Sequence, residues 1–149
     1  MHEAMRHLPA HAALAPGERR VLAALARRFI PQGGVPSPTA DEAAVAARAE
    51  AYLAQADPRT RAAFRGALLA LEFVPLPLSR GLRRFTLLGP EEQDRALEDW
   101  TESGWYARRA VLRWLRTVIA MLYAADPRVA QELGFEPGCP ARGSGRSAT

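Results

Sequence analysis

The side chains that most often perform acid–base or metal chemistry are scarce in this chain of 149 residues. Its histidines stand at positions 2, 7 and 11. His7 and His11 have the spacing that lets two imidazoles bind one metal ion from a helix, but Pro9 lies between them and disfavours that helix. The ordinary interpretation of residues 1–15 is a flexible N-terminal segment, and general-base catalysis by histidine is not expected.

The other candidates for chemistry have simple alternatives. Asp94 and Glu98 are four residues apart on an expected helix, where two solvated carboxylates are the usual explanation. Cys139 is the only cysteine, so an internal disulfide is excluded, and no histidine in the nearby sequence activates its thiol. The sequence lacks glycine-rich nucleotide motifs, HExxH, CxxC and the CxxCH haem motif. We therefore expect no catalytic residues, metal ligands or bound cofactor in this chain.

Arginine is the residue type left to carry a binding function. All 20 basic residues are arginine, against 16 acidic residues, which gives a formal net charge of +4. One cluster stands beside Phe85 in a connector bounded by proline and glycine, and a second forms a stripe on a long helix. The clusters are Arg80, Arg83 and Arg84, and Arg109, Arg113 and Arg116. The connector cluster has the arginine-plus-aromatic composition of protein interfaces. The stripe is typical of a solvated helix face, and binding of phosphates or an acidic partner is the alternative.

The hydrophobic spacing predicts helices throughout the chain. Apolar residues recur at helical intervals, strand alternation is absent, and prolines and glycines separate the segments. The expected helices run from residue 16 to about 30, from a Thr39–Glu42 capping box to about 56, from 58 to about 73, from 90 to about 103, from 105 to about 125, and from 127 to Gly134. The expected core stripes include Phe64, Leu68 and Leu71 on the third helix and Val111, Leu115, Val118 and Leu122 on the fifth. We predict an all-α, single compact domain of about five main helices over residues 16–138, with a disordered tail at 139–149.

The three tryptophans are expected in different environments. Trp100 faces inward on the fourth helix, and Trp114 flanks the apolar ridge of the fifth. Trp105 follows a glycine at a bend and is the one expected to be half exposed. An exposed tryptophan usually marks an interface, because a large aromatic surface is costly to leave in water.

No segment is apolar enough to predict a membrane span or a secretory signal. The longest strongly apolar run covers residues 117–125, which is short of the roughly 20 residues that a span needs. The N-terminal residues lack the apolar region of a signal peptide and a twin-arginine leader. The expectation is a cytoplasmic protein, or a periplasmic one if the chain is a mature form or is exported with a partner.

Four pieces of the chain, in this order, resemble the gluconate 2-dehydrogenase subunit 3 family. The first is a helix that ends in Ile-Pro and glycines, and the second is an arginine–phenylalanine connector followed by a helix that begins Pro-Glu-Glu. The third is a long helix followed by Asp-Pro, and the fourth is a short C-terminal segment. Their sequences are ERRVLAALARRFIPQGG, LSRGLRRFTLLGPEEQDRALEDW, RRAVLRWLRTVIAMLYAADPRV and LGFEPG. Together they span about residues 17–138.

The resemblance implies a small, non-catalytic accessory subunit. Members of this family are similar to the gamma subunits of membrane-associated flavin-dependent dehydrogenases, whose large partner is a glucose–methanol–choline type oxidoreductase that holds the FAD. The small subunit supports folding, maturation or stability of that partner, and in several systems it carries the twin-arginine leader that this sequence lacks. The family supplies no catalytic residues. Our expected contact set for the partner is Arg80, Arg83, Arg84, Phe85, Trp105 and Tyr123.

Two other function classes compete with this interpretation. A basic helical module could bind nucleic acid, but the positive charge is spread over all helices, and no short helix rich in Asn, Gln or Lys is present to read bases. A stand-alone helical bundle could hold a small molecule among the aromatic residues of the fifth helix, although no residue pattern indicates a ligand. Salt-sensitive binding to generic DNA would favour the first alternative, and a coloured protein as isolated would favour the second.

Overall fold

A computed structural model of the chain describes residues 14–41, 43–73, 75, 81 and 83–135. In these residues it contains six α-helices, one 3-10 turn at Phe85–Leu87 and no β-strand. The helices are α1 (Pro16–Phe29), α2 (Val45–Gln55), α3 (Pro58–Phe73), α4 (Pro90–Thr101), α5 (Tyr106–Ala124) and α6 (Pro127–Glu132). The all-α prediction is therefore confirmed.

Proline begins four of these helices, at the first position of α1, α3, α4 and α6. A proline fits there because the first helical N–H has no partner within the helix and the ring presets the helical φ angle. Before α3, the Asp57 carboxylate accepts hydrogen bonds from the backbone N–H groups of Arg59 and Thr60, at 2.9 and 3.1 Å. These bonds hold the pKa of Asp57 below its usual value, with the largest contribution from the Thr60 hydroxyl. The starts predicted at these prolines are confirmed.

The start predicted for α2 is wrong by about five residues. Thr39 lies in a turn in which its carbonyl accepts a hydrogen bond from the N–H of Ala43 at 2.9 Å. Ala44 then adopts a left-handed conformation with φ of 52°, and the helix begins at the next residue. A left-handed residue cannot continue a right-handed helix, so the helix starts after it and not after Thr39. Glu42, the other half of the predicted capping box, lies outside the described residues.

The end of α6 shows the termination that Gly134 predicts. Gly134 has φ of 73°, its N–H donates to the carbonyl of Gln131, and the N–H of Phe135 donates to the carbonyl of Ala130 at 2.8 Å. This pair of bonds is a Schellman motif, which favours glycine because a side chain disfavours positive φ.

Two helices, α1 and α5, form the centre of the domain. Each contacts the other, and both pack against α2, α3 and α4. The buried face of α1 carries Val21, Leu22, Leu25 and Ala26, and that of α5 carries Leu112, Leu115, Val118, Ile119 and Leu122. The stripe predicted on α3 is buried as expected, with Phe64 and Leu68 fully enclosed. Val111, which was predicted on the ridge of α5, is only partly buried beside it.

The 3-10 turn before α4 carries Phe85 into the core, where its side chain is 0% exposed. Two polar groups hold the turn in place. The buried Glu72 carboxylate accepts from the N–H and the hydroxyl of Thr86, at 3.0 and 2.6 Å, and Gln93 Nε2 donates to the carbonyl of Phe85 at 3.2 Å. Because its ring is enclosed by the core, Phe85 is a packing residue in this structure and offers no exposed surface for the predicted partner contact.

Tyr123 is also a structural residue. Its side chain is buried at the end of α5, and its hydroxyl donates to the carbonyl of Pro38 at 2.6 Å. Pro38 lies in the loop between α1 and α2, and this loop is also attached to α6. The Glu132 carboxylate of α6 accepts hydrogen bonds from the N–H and the hydroxyl of Ser37, at 2.7 and 2.5 Å. The ring and hydroxyl of Tyr123 thus attach the α1–α2 loop, and little of this side chain is exposed for the predicted partner contact.

A buried carboxylate, Asp126, joins α2 to the start of α6. It accepts from the backbone N–H of Arg128 at 2.9 Å and pairs with the side chains of Arg128 and Arg48 at 3.2 and 3.4 Å. The hydrogen bond from the Arg128 side chain is the largest reason that the pKa of Asp126 falls from 3.8 to about 2, against the opposing effect of burial.

Replacement of Phe85 tests its place in the core. We expect Phe85→Ala to lower the free energy of unfolding by about 3–5 kcal/mol, because it leaves a cavity in a packed region. Leu87→Ala is the matched control: its side chain is two residues away in the same turn and 68% exposed, so its effect should stay within about 0.5 kcal/mol. Urea unfolding followed by circular dichroism measures both. Equal effects of the two variants would contradict the enclosed position of Phe85.

Replacement of Asp126 tests its charge through pH. Asp126→Asn keeps an acceptor at the cap but loses the ion pairs, so we expect a loss of about 1 kcal/mol at pH 7. Since the folded pKa lies below the unfolded one, the wild-type advantage should be full at neutral pH and decline between about pH 4 and pH 2. Thermal unfolding across this range measures the difference. Asp94→Asn, at an exposed pair with Arg28, is the control, and a pH-independent gap for Asp126→Asn would contradict the assignment.

Candidate functional site

The structure separates the residues of the predicted contact set. Arg80 lies outside the described residues. Arg83 is exposed and pairs with Glu92 at 3.1 Å, while the Arg84 guanidinium lies 5.4 Å from the centre of the Phe73 ring. Phe85 and Tyr123 are in the core, as described above. Trp105 is 72% exposed, which confirms the expectation that this tryptophan reaches the surface.

The exposed members of this set do not form one surface. Arg83 contacts Glu92, which is in the first turn of α4, and Trp105 follows the last turn of the same helix. Twelve residues of α-helix span about 18 Å. The arginines of the connector and Trp105 are therefore at opposite ends of α4, and each must be considered with its own neighbours.

A cluster of aromatic and cationic side chains surrounds Trp105 at the junction of α4 and α5. We call it the elbow surface and define it as Trp105, Tyr106, Arg108 and Arg109. Both aromatic residues are strongly exposed, at 72% and 76%. They sit at the start of α5 because the chain reverses after α4 in a short segment through Ser103 and Gly104, and Trp105 keeps an extended backbone as the N-cap residue.

Arginines order the aromatic rings of the elbow surface. The Arg108 guanidinium lies between two tryptophans, 5.6 Å from the ring centre of the buried Trp100 and 5.5 Å from that of Trp105. Arg109 lies 5.8 Å from the ring centre of Tyr106 and donates to the carbonyl of Ser103. Each cation–π contact is worth roughly 0.5–1 kcal/mol at an exposed site. Each exposed ring therefore has one contact that favours its position before any partner binds.

The arginine stripe continues along α5 from this surface. Arg113 is exposed, and the Arg116 guanidinium lies 4.8 Å from the ring centre of the half-buried Phe29. Trp114, which was expected to flank the ridge, is half buried and makes an edge-on contact with Phe64 at 5.8 Å between ring centres. Sequence reasoning selected Trp105 but missed Tyr106 and Arg108. The sequence feature that could have identified them is the run of aromatic residues and arginines directly after Ser103 and Gly104. A helix that starts after such a bend has an exposed first turn.

The described residues provide binding chemistry at the elbow surface and along the arginine stripe. No group of three His, Cys, Asp or Glu side chains in these ranges is placed to hold a metal ion. Asp94, considered above as half of a carboxylate pair, faces Arg28 at 3.5 Å. Among the helices that the structure describes, none combines the length and the apolar character needed to cross a membrane. The three histidines and Cys139 lie outside the described residues.

The comparison with known families gives one assignment. The family model named gluconate 2-dehydrogenase subunit 3 matches residues 16–140, which includes all six helices and the elbow surface. Comparison with curated proteins and with solved structures gives no match. The chain belongs to the gluconate 2-dehydrogenase subunit 3 family, whose name describes a subunit of a dehydrogenase complex.

Proposed function

We propose that this protein is the non-catalytic small subunit of an FAD-dependent dehydrogenase, and that it binds and supports the folding, maturation or stability of a large glucose–methanol–choline type oxidoreductase. The observation that carries the proposal is the family match over residues 16–140. In this assignment the large subunit holds the FAD and performs the oxidation. The small subunit contributes contact surface, in keeping with the binding chemistry of its described residues.

The elbow surface is the proposed docking site for the large subunit. Trp105 and Tyr106 expose most of their rings to solvent, and a buried aromatic side chain removes about 150–250 Å² from water. Tryptophan, tyrosine and arginine are the residue types that dominate binding energy at protein interfaces. Their existing contacts with Arg108 and Arg109 reduce the conformational entropy that would be lost when a partner packs on them.

The accessory role follows from the physical properties of such a surface. A large flavoprotein subunit that folds with an uncovered apolar region is prone to aggregation until that region is buried. A small helical subunit that covers it stabilises the folded large subunit by mass action, because it binds the folded and not the unfolded form. This effect requires no catalytic residue in the small subunit.

A tagged pull-down from the native organism tests the proposed function. We expect the eluate to contain one large protein at equal stoichiometry, to show flavin absorbance and to yield an FAD-containing oxidoreductase by mass spectrometry. A colourless eluate without an oxidoreductase would contradict the proposal. A recovered nucleic acid would instead favour the nucleic-acid-binding alternative.

Substitution at the elbow surface tests where the large subunit docks. We expect Trp105→Ala with Tyr106→Ala to weaken the complex at least about tenfold, because each is exposed in the free subunit and buried at the contact. The free variant should lose no more than about 1–2 kcal/mol, the value of its two cation–π contacts, since neither ring is in the core. Biolayer interferometry with the purified large subunit measures the affinity.

The arginines of the connector provide the comparison for this experiment. Arg83→Ala with Arg84→Ala removes two cations that already have partners in Glu92 and the Phe73 ring. We expect this variant to lose less affinity than the Trp105–Tyr106 variant and to remain folded. A larger loss would move the docking site to the connector at the other end of α4.

A further inference from the structure

Beside the elbow surface, three arginines surround a small cavity between the end of α4 and the outer face of α5. The cavity has a volume of about 100 Å³ and is lined by Thr101, Arg109, Leu112, Arg113 and Arg116. We call it the arginine pocket. Positions 109, 113 and 116 follow the spacing of four and three residues that places side chains on one face of a helix. All three side chains line this one cavity.

The arginine pocket concentrates positive charge that the fold leaves unbalanced. Among the described residues, none of the three arginines is within salt-bridge distance of a carboxylate, although many other arginines of the chain are. The Thr101 hydroxyl donates to the carbonyl of Leu97 at 2.8 Å, and Leu112 contributes an apolar floor. Close like charges destabilise the free subunit, and a bound anion would remove that repulsion.

Two of these arginines are held in position before any anion binds. Arg109 donates to the carbonyl of Ser103 and lies on the Tyr106 ring, and Arg116 lies on the Phe29 ring at 4.8 Å. Arg113 projects to solvent between them. A guanidinium binds a carboxylate through two parallel N–H groups, and prior ordering lowers the entropic cost of that geometry.

We propose that the arginine pocket receives a carboxylate side chain from an acidic segment of the large flavoprotein subunit. The inference rests on the proposed function and names the chemistry of the partner's contact. A cavity of this volume has room for a carboxylate group. Arg109 belongs to both the arginine pocket and the elbow surface, so the acidic segment would continue from the residues that cover Trp105 and Tyr106. The charge of the pocket then orients the partner, and the aromatic pair contributes apolar contact.

Charge reversal at Arg113 tests the inference, because the side chain is exposed and makes no ion pair with a carboxylate of the described residues. With the flavin-containing large subunit and full-length small subunit, Arg113→Glu should weaken binding about tenfold to a hundredfold. Arg59→Glu is the matched control. This control makes the same charge change at an exposed position in the first turn of α3, where a carboxylate is favoured by the helix dipole. Its affinity for the large subunit should stay within about twofold of wild type. Circular dichroism of both variants establishes that the helices remain.

A second measurement separates a specific carboxylate contact from general attraction. The wild-type affinity should fall as sodium chloride is raised, and the Arg113→Glu complex should show a weaker dependence on salt. Arg113→Gln removes the charge without adding a repulsive one, and its affinity should lie between those of wild type and Arg113→Glu. An Arg113→Glu affinity equal to that of Arg59→Glu would overturn the inference.

Three outcomes would overturn it in different ways. If wild type binds the large subunit and Arg113 variants bind equally well, the proposed function stands and only the pocket's assignment fails. If no flavoprotein binds, both fail together. If inorganic phosphate raises the melting temperature of wild type but not of Arg113→Glu, while the affinity for the large subunit is unchanged in that variant, the pocket is a site for a free oxoanion.

Discussion

The hydrogen bonds between Glu72 and Thr86 attach the second half of the domain to the end of α3. The carboxylate is on the last turn of α3, and the residue it holds is in the 3-10 turn that precedes α4. This contact fixes the turn, places Phe85 in the core and sets the direction in which α4 leaves it. α5 follows α4 after only a few residues, so the elbow surface and the arginine pocket lie in the part of the chain that begins with this turn. A carboxylate in the core is costly unless its oxygens are bonded, and here both of them accept.

The sequence predicts most of the helices because the signals that begin and end them are local. The helix starts at Pro58, Pro90 and Pro127 can be predicted from the residues next to each proline. The end of α6 can be predicted in the same way from its glycine. The start of α2 could not be found in this way. It depends on a turn that closes by backbone hydrogen bonds and on Ala44 in a left-handed conformation, for which alanine carries no sequence signal.

The candidate site was harder to predict because an isolated aromatic residue does not indicate which way it faces. Phe85 is in a connector without helical periodicity, so its inward orientation follows only from the bonds that hold the turn. Tyr123 could have been placed correctly, since it follows Ile119 by four residues on the buried face of α5. The exposed Trp105 was predictable because Gly104 marks a bend, whereas the convergence of Arg109, Arg113 and Arg116 on one cavity requires the packing of α4 against α5.

The difference in exposure among the three tryptophans has a spectroscopic consequence. The three indoles of the chain occupy distinct environments: Trp100 is buried, Trp114 is half buried against Phe64, and Trp105 is largely in water. Trp105 therefore dominates the long-wavelength side of the intrinsic fluorescence emission. A partner that covers the elbow surface shifts the emission of Trp105 to shorter wavelength, while Trp100 and Trp114 report on the core. The wild-type chain thus carries its own optical reporter for the junction of α4 and α5, without a label or a substitution.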